Sequence, residues 1–172
     1  EFGNIYSRLG NPTVGALEAR LTALEGGAMS VALASGTSAV MYSLINIMSQ
    51  GDNFISASQL YGGTYTMFDN ILPEYGINAK KVDITDLKAV EDSIDEKTRA
   101  VYCETVTNPG LVVADVTALS EIAHKHGIPL IVDATFTTSA IQKSFDFGAD
   151  IVVYSLTKWM SGHGTVSYTH LT

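Results

Sequence analysis

Six short runs rich in apolar residues, Val31 to Ala34, Asn53 to Ser56, Ala79 to Val82, Ala100 to Glu104, Pro129 to Asp133 and Ile151 to Tyr154, alternate with stretches of helical spacing. This alternation constrains the chain more than any other feature. Most of these runs are continuously apolar rather than alternating with polar residues, so as strands they need cover on both faces. Strands of that kind, separated by helices, imply an α/β fold with a mostly parallel sheet and helices on both faces. The helical stretches carry their own punctuation. Asn11 before Pro12 is a helix start, Val14, Leu17, Leu21 and Leu24 share one face, and Gly26-Gly27 is a stop. Further helices are expected after Ser35, with Val40, Leu44, Ile47 and Met48 inward, and over Gly63 to Tyr75, Asp86 to Ile94 and Val116 to His126. The segment Tyr6 to Gly10 reads as an extended arm whose Tyr6-Ser7-Arg8 reaches solvent or a neighbouring subunit.

In sheets of this kind ligands gather where strands end at their carboxyl edge. Ser35, Asp133 and Ser155 each stand at such an end. Ser35-Gly36-Thr37-Ser38 joins a strand to a helix start, a junction that aims free backbone N–H groups and the positive helix end at one spot and suits a phosphate. Many Ser/Gly turns before helices are only caps, so the junction alone leaves both readings open. The run Ile151 to Tyr154 then delivers Lys158 to a loop, with Ser155 and Thr157 beside it. A lone lysine there would read as a solvated charge; the adjoining hydroxyls suit an aldehyde that carries a phosphate.

The length of 172 residues and 46% hydrophobic content fit one folded domain. A formal net charge of −8 opposes binding to nucleic acid or an anionic membrane surface. The single Cys103, within an apolar run, has no intrachain partner and reads as buried packing in a reducing, cytoplasmic setting. The sequence lacks a signal-peptide pattern and a stretch of membrane-spanning length. Four scattered histidines and one cysteine make no zinc spacing, so no metal is expected. His163, between two glycines, reads as structural, and His124 and His126 suit a helix C-terminus.

A lysine, a carboxylate and a phosphate cradle at one sheet edge match the needs of pyridoxal 5'-phosphate (PLP): an amine for a Schiff base, an acid beside the ring nitrogen, and donors for the phosphate. Lys158, Asp133 and Ser35-Gly36-Thr37, with Ser155 and Thr157, fill those roles. A nearby aspartate raises the ring nitrogen's pKa and favours the protonated pyridinium, the stronger electron sink. Taken alone, Asp133 reads more readily as a strand-end turn residue or helix cap. Tyr61, followed by Gly62-Gly63, can lie over such a ring, although by itself it is also an ordinary loop tyrosine.

Tyr6-Ser7-Arg8, Asn11-Pro12-Thr13, Ser35-Gly36-Thr37, Tyr61-Gly62-Gly63-Thr64, Asn108-Pro109, Asp133 and Ser155-Leu156-Thr157-Lys158 occur in the order seen in the Cys/Met-metabolism branch of the fold type I PLP-dependent enzymes. From about Phe2 to Thr165 the chain resembles that branch. Gln59-Leu60-Tyr61-Gly62-Gly63-Thr64-Tyr65 and Gly162-His163-Gly164-Thr165 are most similar to its O-acetylhomoserine sulfhydrylases. The resemblance implies an aspartate aminotransferase-like large domain over residues 1–165, with an arm over 1–11. It implies that Lys158 binds the cofactor covalently and shuttles protons, that Asp133 pairs with the pyridine nitrogen, and that Tyr61 stacks on the ring and assists proton transfer. Gly36 and Thr37 would offer N–H groups to the phosphate with help from Ser35, Ser155 and Thr157, and Asn108 would lie near the ring hydroxyl or the substrate carboxylate. Tyr6 and Arg8 would reach the phosphate of an adjacent subunit in a homodimer or homotetramer, where a forked guanidinium adds charge-assisted bonds.

The implied reaction is γ-replacement on an O-acylated homoserine with sulfide or a thiol, in methionine biosynthesis. Cystathionine γ-synthase, γ-lyase and methionine γ-lyase chemistry share the same residues. A non-catalytic α/β module holding a phosphorylated ligand on the Ser35 turn is the alternative of another class, although neither a G-x-G-x-x-G nor a G-K-[ST] loop occurs. Two departures stand out: Ala134 replaces the asparagine that usually follows the ring-nitrogen aspartate, and residues 166–172 do not follow the family pattern. The expectation is therefore a truncated domain, inactive alone, with a non-family tail and without the C-terminal domain that supplies an arginine for the substrate carboxylate.

Overall fold

The computed structural model describes residues 6–161, so Gly162-His163-Gly164-Thr165, the tail over 166–172 and the first part of the arm lie outside the described residues. Five strands, β1 (Asn53–Ala57), β2 (Asn78–Val82), β3 (Thr98–Glu104), β4 (Leu130–Asp133) and β5 (Ile151–Val153), form one sheet in the order β2-β1-β3-β4-β5. Every pairing is parallel. All five carboxyl ends therefore share one edge, which is where the sequence places the candidate residues Asp133 and Ser155.

Neighbouring residues of a strand face opposite sides of a sheet, so a strand buried at every position is covered on both. All five residues of β1 are buried, as are six of the seven in β3. At the centre, the Phe68 ring sits edge-on between Phe54 and Tyr102, with centroids 4.8 and 5.0 Å apart. The edge strand β2 reads differently: its Lys80 and Lys81 pair with Asp95 and Asp69. Charges on an edge strand keep its unpaired backbone from recruiting another strand.

The helices are α1 (Pro12–Glu25), α2 (Gly36–Ile45), α3 (Gly62–Thr66), α4 (Leu87–Asp92), α5 (Val116–Lys125) and α6 (Thr138–Ile141). Their caps follow local sequence. Asn11 accepts from the N–H groups of Thr13 and Val14, Asp86 from Ala89 and Asp115 from Ala118, while Gly26 closes α1 in the left-handed region. His124 and His126 do lie at the end of α5, where carboxylates also meet them: His124 contacts Asp150 at 2.9 Å and His126 contacts Glu91 at 3.2 Å. Cys103 is buried and free, its thiol pushed up to about 12 first by burial and then by the Glu104 and Asp133 carboxylates.

Three expectations are corrected. Val31 to Ala34 is not a strand: no strand of the sheet pairs with it, Val31 is 64% exposed, and the Ala32 N–H bonds instead to the Glu18 side chain at 2.8 Å. Tyr6 to Gly10 is a turn rather than an extended arm, because the N–H groups of Leu9 and Gly10 both close on the Tyr6 carbonyl, at 2.8 and 3.0 Å. The helix over Gly63 to Tyr75 is α3 followed by a π turn (Met67–Ile71) and a 3₁₀ turn (Leu72–Tyr75). Pro73, lacking an N–H, breaks the regular ladder there. On the apolar face of α1, Val14, Leu17 and Leu21 are part-buried. Leu24 is exposed and Glu25 is the helix's one buried residue, accepting from the Tyr154 hydroxyl at 2.7 Å.

Candidate active site

The site grows from the carboxyl edge of β4 and β5. Asp133 ends β4 opposite Val153 of β5, so whatever follows β5 emerges beside the aspartate. The loop after β4 is tied to that segment by short bonds. The Ala134 N–H donates to the Val153 carbonyl at 3.0 Å, and the Ser155 N–H to the Thr135 hydroxyl at 2.8 Å. Ala134 is fully buried at this junction, which a small side chain suits. Thr135 also donates its own N–H to Asp133 Oδ1 at 2.9 Å. Burial raises the Asp133 carboxyl above its ordinary range, and the hydrogen bonds from Thr135 work against that rise. The fully buried Tyr102 hydroxyl lies beside Asp133 and Thr64 without a hydrogen bond of ordinary geometry, and burial keeps it protonated.

α2 meets this edge end-on. Ser35 caps it, its hydroxyl accepting the Ser38 N–H at 3.0 Å, which leaves the first-turn N–H groups of Gly36 and Thr37 without helical carbonyls to bond. A Cβ on Gly36 would stand 2.6 Å from the Ser155 Cβ and 2.9 Å from its Cα. Nothing larger than glycine brings the helix start so close to the segment leaving β5. The predicted phosphate donors Ser35, Gly36, Thr37 and Ser155 are thereby gathered into one cradle. Gly36→Ala is expected to cost about 1–3 kcal/mol of stability, since the clash is with backbone as well as side chain. A urea unfolding midpoint unchanged from wild type would refute this.

Beyond Ser155 the chain turns through residues 156–161, the Lys158 N–H donating to the Ser155 carbonyl at 3.1 Å. Thr157 and Lys158 are exposed in this turn, next to Trp159, whose ring meets Phe136 edge-on at 6.4 Å. Tyr61 precedes α3 at the exit of β1 and is 49% exposed. A Cβ on Gly63 would lie 2.6 Å from that ring, so the glycine lets the tyrosine fold over the helix start. Asn108 lies in the loop after β3. Tyr6 and Arg8 are not brought to this edge by any described contact. They are exposed in the turn before α1, where the guanidinium stacks over the Tyr6 ring at 5.4 Å.

One residue at this edge was not singled out from the sequence. Glu104 ends β3 beside Asp133 and is only 5% exposed. Its Oε1 accepts the Tyr61 N–H at 2.7 Å and its Oε2 the Asn108 N–H at 3.0 Å. In sequence it is an acidic residue closing an apolar run, which reads as a strand terminator. Among the described residues no group of three or more His, Cys, Asp or Glu could hold a metal ion, and no helix is long and apolar enough to cross a membrane.

The residues fit PLP. The close Gly36–Ser155 contact sets the start of α2 against the segment leaving β5 as a phosphate would need, a half-buried carboxylate stands at the adjacent strand end, and an exposed amine follows from the same segment. Comparison with known proteins agrees with that fit. The model of the family described as Cys/Met metabolism PLP-dependent enzyme matches residues 1–169. An O-acetyl-L-homoserine sulfhydrylase of Leptospira meyeri is 46% identical over 165 residues, and an L-methionine gamma-lyase of Pseudomonas putida is 40% identical over 165 residues. Each alignment takes in 96% of this chain, but 37% and 42% of those relatives. A crystal structure from Campylobacter jejuni, described as an O-acetylhomoserine (thiol)-lyase and carrying N'-pyridoxyl-lysine-5'-monophosphate, superposes with a TM-score of 0.91 at 44% identity. It covers 96% of this chain and 41% of its own. The chain thus spans well under half the length of the proteins it matches.

Proposed function

Because the chain belongs to the Cys/Met metabolism PLP-dependent enzyme family, we propose that it is the cofactor-binding part of an enzyme replacing the γ-substituent of an O-acylated homoserine with sulfide. In that reaction the Cγ–O bond breaks, the acyloxy group leaves with its electron pair as acetate, and hydrosulfide forms the new C–S bond of homocysteine. PLP, when bound, supplies the electron sink that makes these carbon centres reactive. The chain's residues do the rest. Lys158 anchors the cofactor and, once released, carries protons between substrate carbons. Asp133 holds a proton on the pyridine nitrogen through opposite charge. Ser35, Gly36, Thr37, Ser155 and Thr157 bind the phosphate, Tyr61 covers the ring and assists proton transfer, and Asn108 orients the ring hydroxyl or the substrate carboxylate.

The observation that carries this reading is the Gly36–Ser155 contact, which joins the helix-end phosphate cradle to the segment bearing the lysine. The same reading makes residues 1–165 a PLP-binding large domain and 166–172 a tail, of which residues 166–169 still fall within the match to the family model. It makes the enzyme a cytoplasmic homodimer or homotetramer in which Tyr6 and Arg8 serve a neighbour's phosphate. The 40% identity to a methionine gamma-lyase supports elimination as a second reading. Product analysis of the full-length holoenzyme separates them. O-acetylhomoserine with sulfide should yield homocysteine and acetate in equal amounts, whereas a 2-oxo acid and ammonia as main products would overturn replacement.

A further inference from the structure

Glu104 is the one buried carboxylate that bridges two of the site's loops. The loop after β1 hangs from its Oε1 by the Tyr61 N–H, and the loop after β3 from its Oε2 by the Asn108 N–H. The two donors are separated by more than forty residues of chain, and neither accepting oxygen is spare. An ionised carboxylate can accept both bonds. A protonated one turns one oxygen into a hydroxyl, a donor that is a much weaker acceptor for the N–H it faces.

Resting on the cofactor reading above, we propose that Glu104 is the positioning residue of the site. Its ionised form holds Tyr61 and Asn108 in register, so that PLP binds tightly only when Glu104 carries its charge. Geometry supports this independently of any titration, because no other described hydrogen bond joins these two backbone positions. Charge supports it as well. Burial pushes Glu104 up to about 7, opposed by the two N–H bonds and aided by Asp133 on the neighbouring strand. The other titratable groups around it are Tyr102 and Cys103 on its own strand, both kept protonated by burial, and Tyr61 in the loop that it holds. Asp133 is itself raised by burial.

The sign follows from linkage. In the unfolded chain Glu104 would titrate near its ordinary 4.5, and in the fold near 7. Between those values the folded state holds more protons, so its contribution to stability falls as pH rises, while the bridging form becomes populated. Tight cofactor binding and apo-protein stability are therefore expected to move in opposite directions through this window.

The test uses PLP titration of the full-length apo-enzyme across that range. Wild type should bind about tenfold more weakly below the window than above it, the scale of one lost hydrogen bond to a charged group. Glu104→Gln, whose amide offers only one acceptor, should show the weaker binding throughout and lack this step. The phosphate's own titration, common to both proteins, cancels in the comparison. A glutamine variant that keeps the wild-type step, or binds as tightly as wild type at high pH, overturns the proposal. Should the variant fail to fold, hydrogen exchange of wild type decides. After correction for intrinsic rates, protection of the Tyr61 and Asn108 amides should rise together through the window, and pH-independent protection refutes the bridge. If wild type binds no PLP at any pH, the cofactor reading fails by itself, and the exchange result still judges Glu104.

Discussion

Lys158→Ala in the full-length enzyme should leave a folded protein with no covalent cofactor. Lys158 is exposed in the turn after β5, and its backbone N–H bond to Ser155 survives the substitution. Surface changes of this kind usually shift stability by less than about 0.5 kcal/mol. Its chemical consequence should be far larger. On the proposed reading the amine both anchors the cofactor and moves protons, and positioned acid–base groups contribute on the order of 10²–10⁴-fold to rate. The visible band of lysine-bound PLP should vanish, and borohydride reduction followed by mass spectrometry should trap the cofactor on wild type only. A PLP adduct retained by the alanine variant would place the anchoring amine elsewhere and break the assignment.

Asp133→Asn separates charge from shape. The amide oxygen can still accept the Thr135 N–H that now bonds Oδ1, so the loop after β4 should keep its conformation. What disappears is the negative charge that would hold a proton on the pyridine nitrogen. A neighbouring opposite charge shifts a pKa by about 1–3 units, so turnover should fall by about 10- to 1,000-fold. Stability should respond the other way. Burial raises the folded-state carboxyl above its ordinary 3.8, so the folded state binds the proton more tightly and loses stability as pH rises through the interval above 3.8. The asparagine variant is free of that loss. At neutral pH its apo form should unfold at the same or a higher urea concentration than wild type while turning over more slowly. A variant that is both fully active and less stable would show Asp133 to be a structural strand-end residue.

Several decisions of this molecule were legible before any coordinates. Continuous apolar runs fix β3 and β4 as doubly covered strands, because a strand without alternation has no face to give to water. Cap chemistry fixes the start of α1 and α2 at Asn11 and Ser35. Once the sheet is parallel, Asp133, Ser155 and Lys158 fall at one edge by connectivity alone. Val31 to Ala34 misled for the converse reason: its apolar residues resemble a strand, but a strand exists only where another strand bonds to it, and Glu18 supplies that acceptor instead.

Contacts between distant parts of the chain were decided by the tertiary structure. The seating of Gly36 on Ser155 and the bridge from Glu104 to Tyr61 and Asn108 join residues whose local sequences carry no sign of one another. Periodicity, caps and turn residues report forces acting over a few residues. A buried carboxylate reports its purpose only when the fold has chosen the N–H groups that meet it.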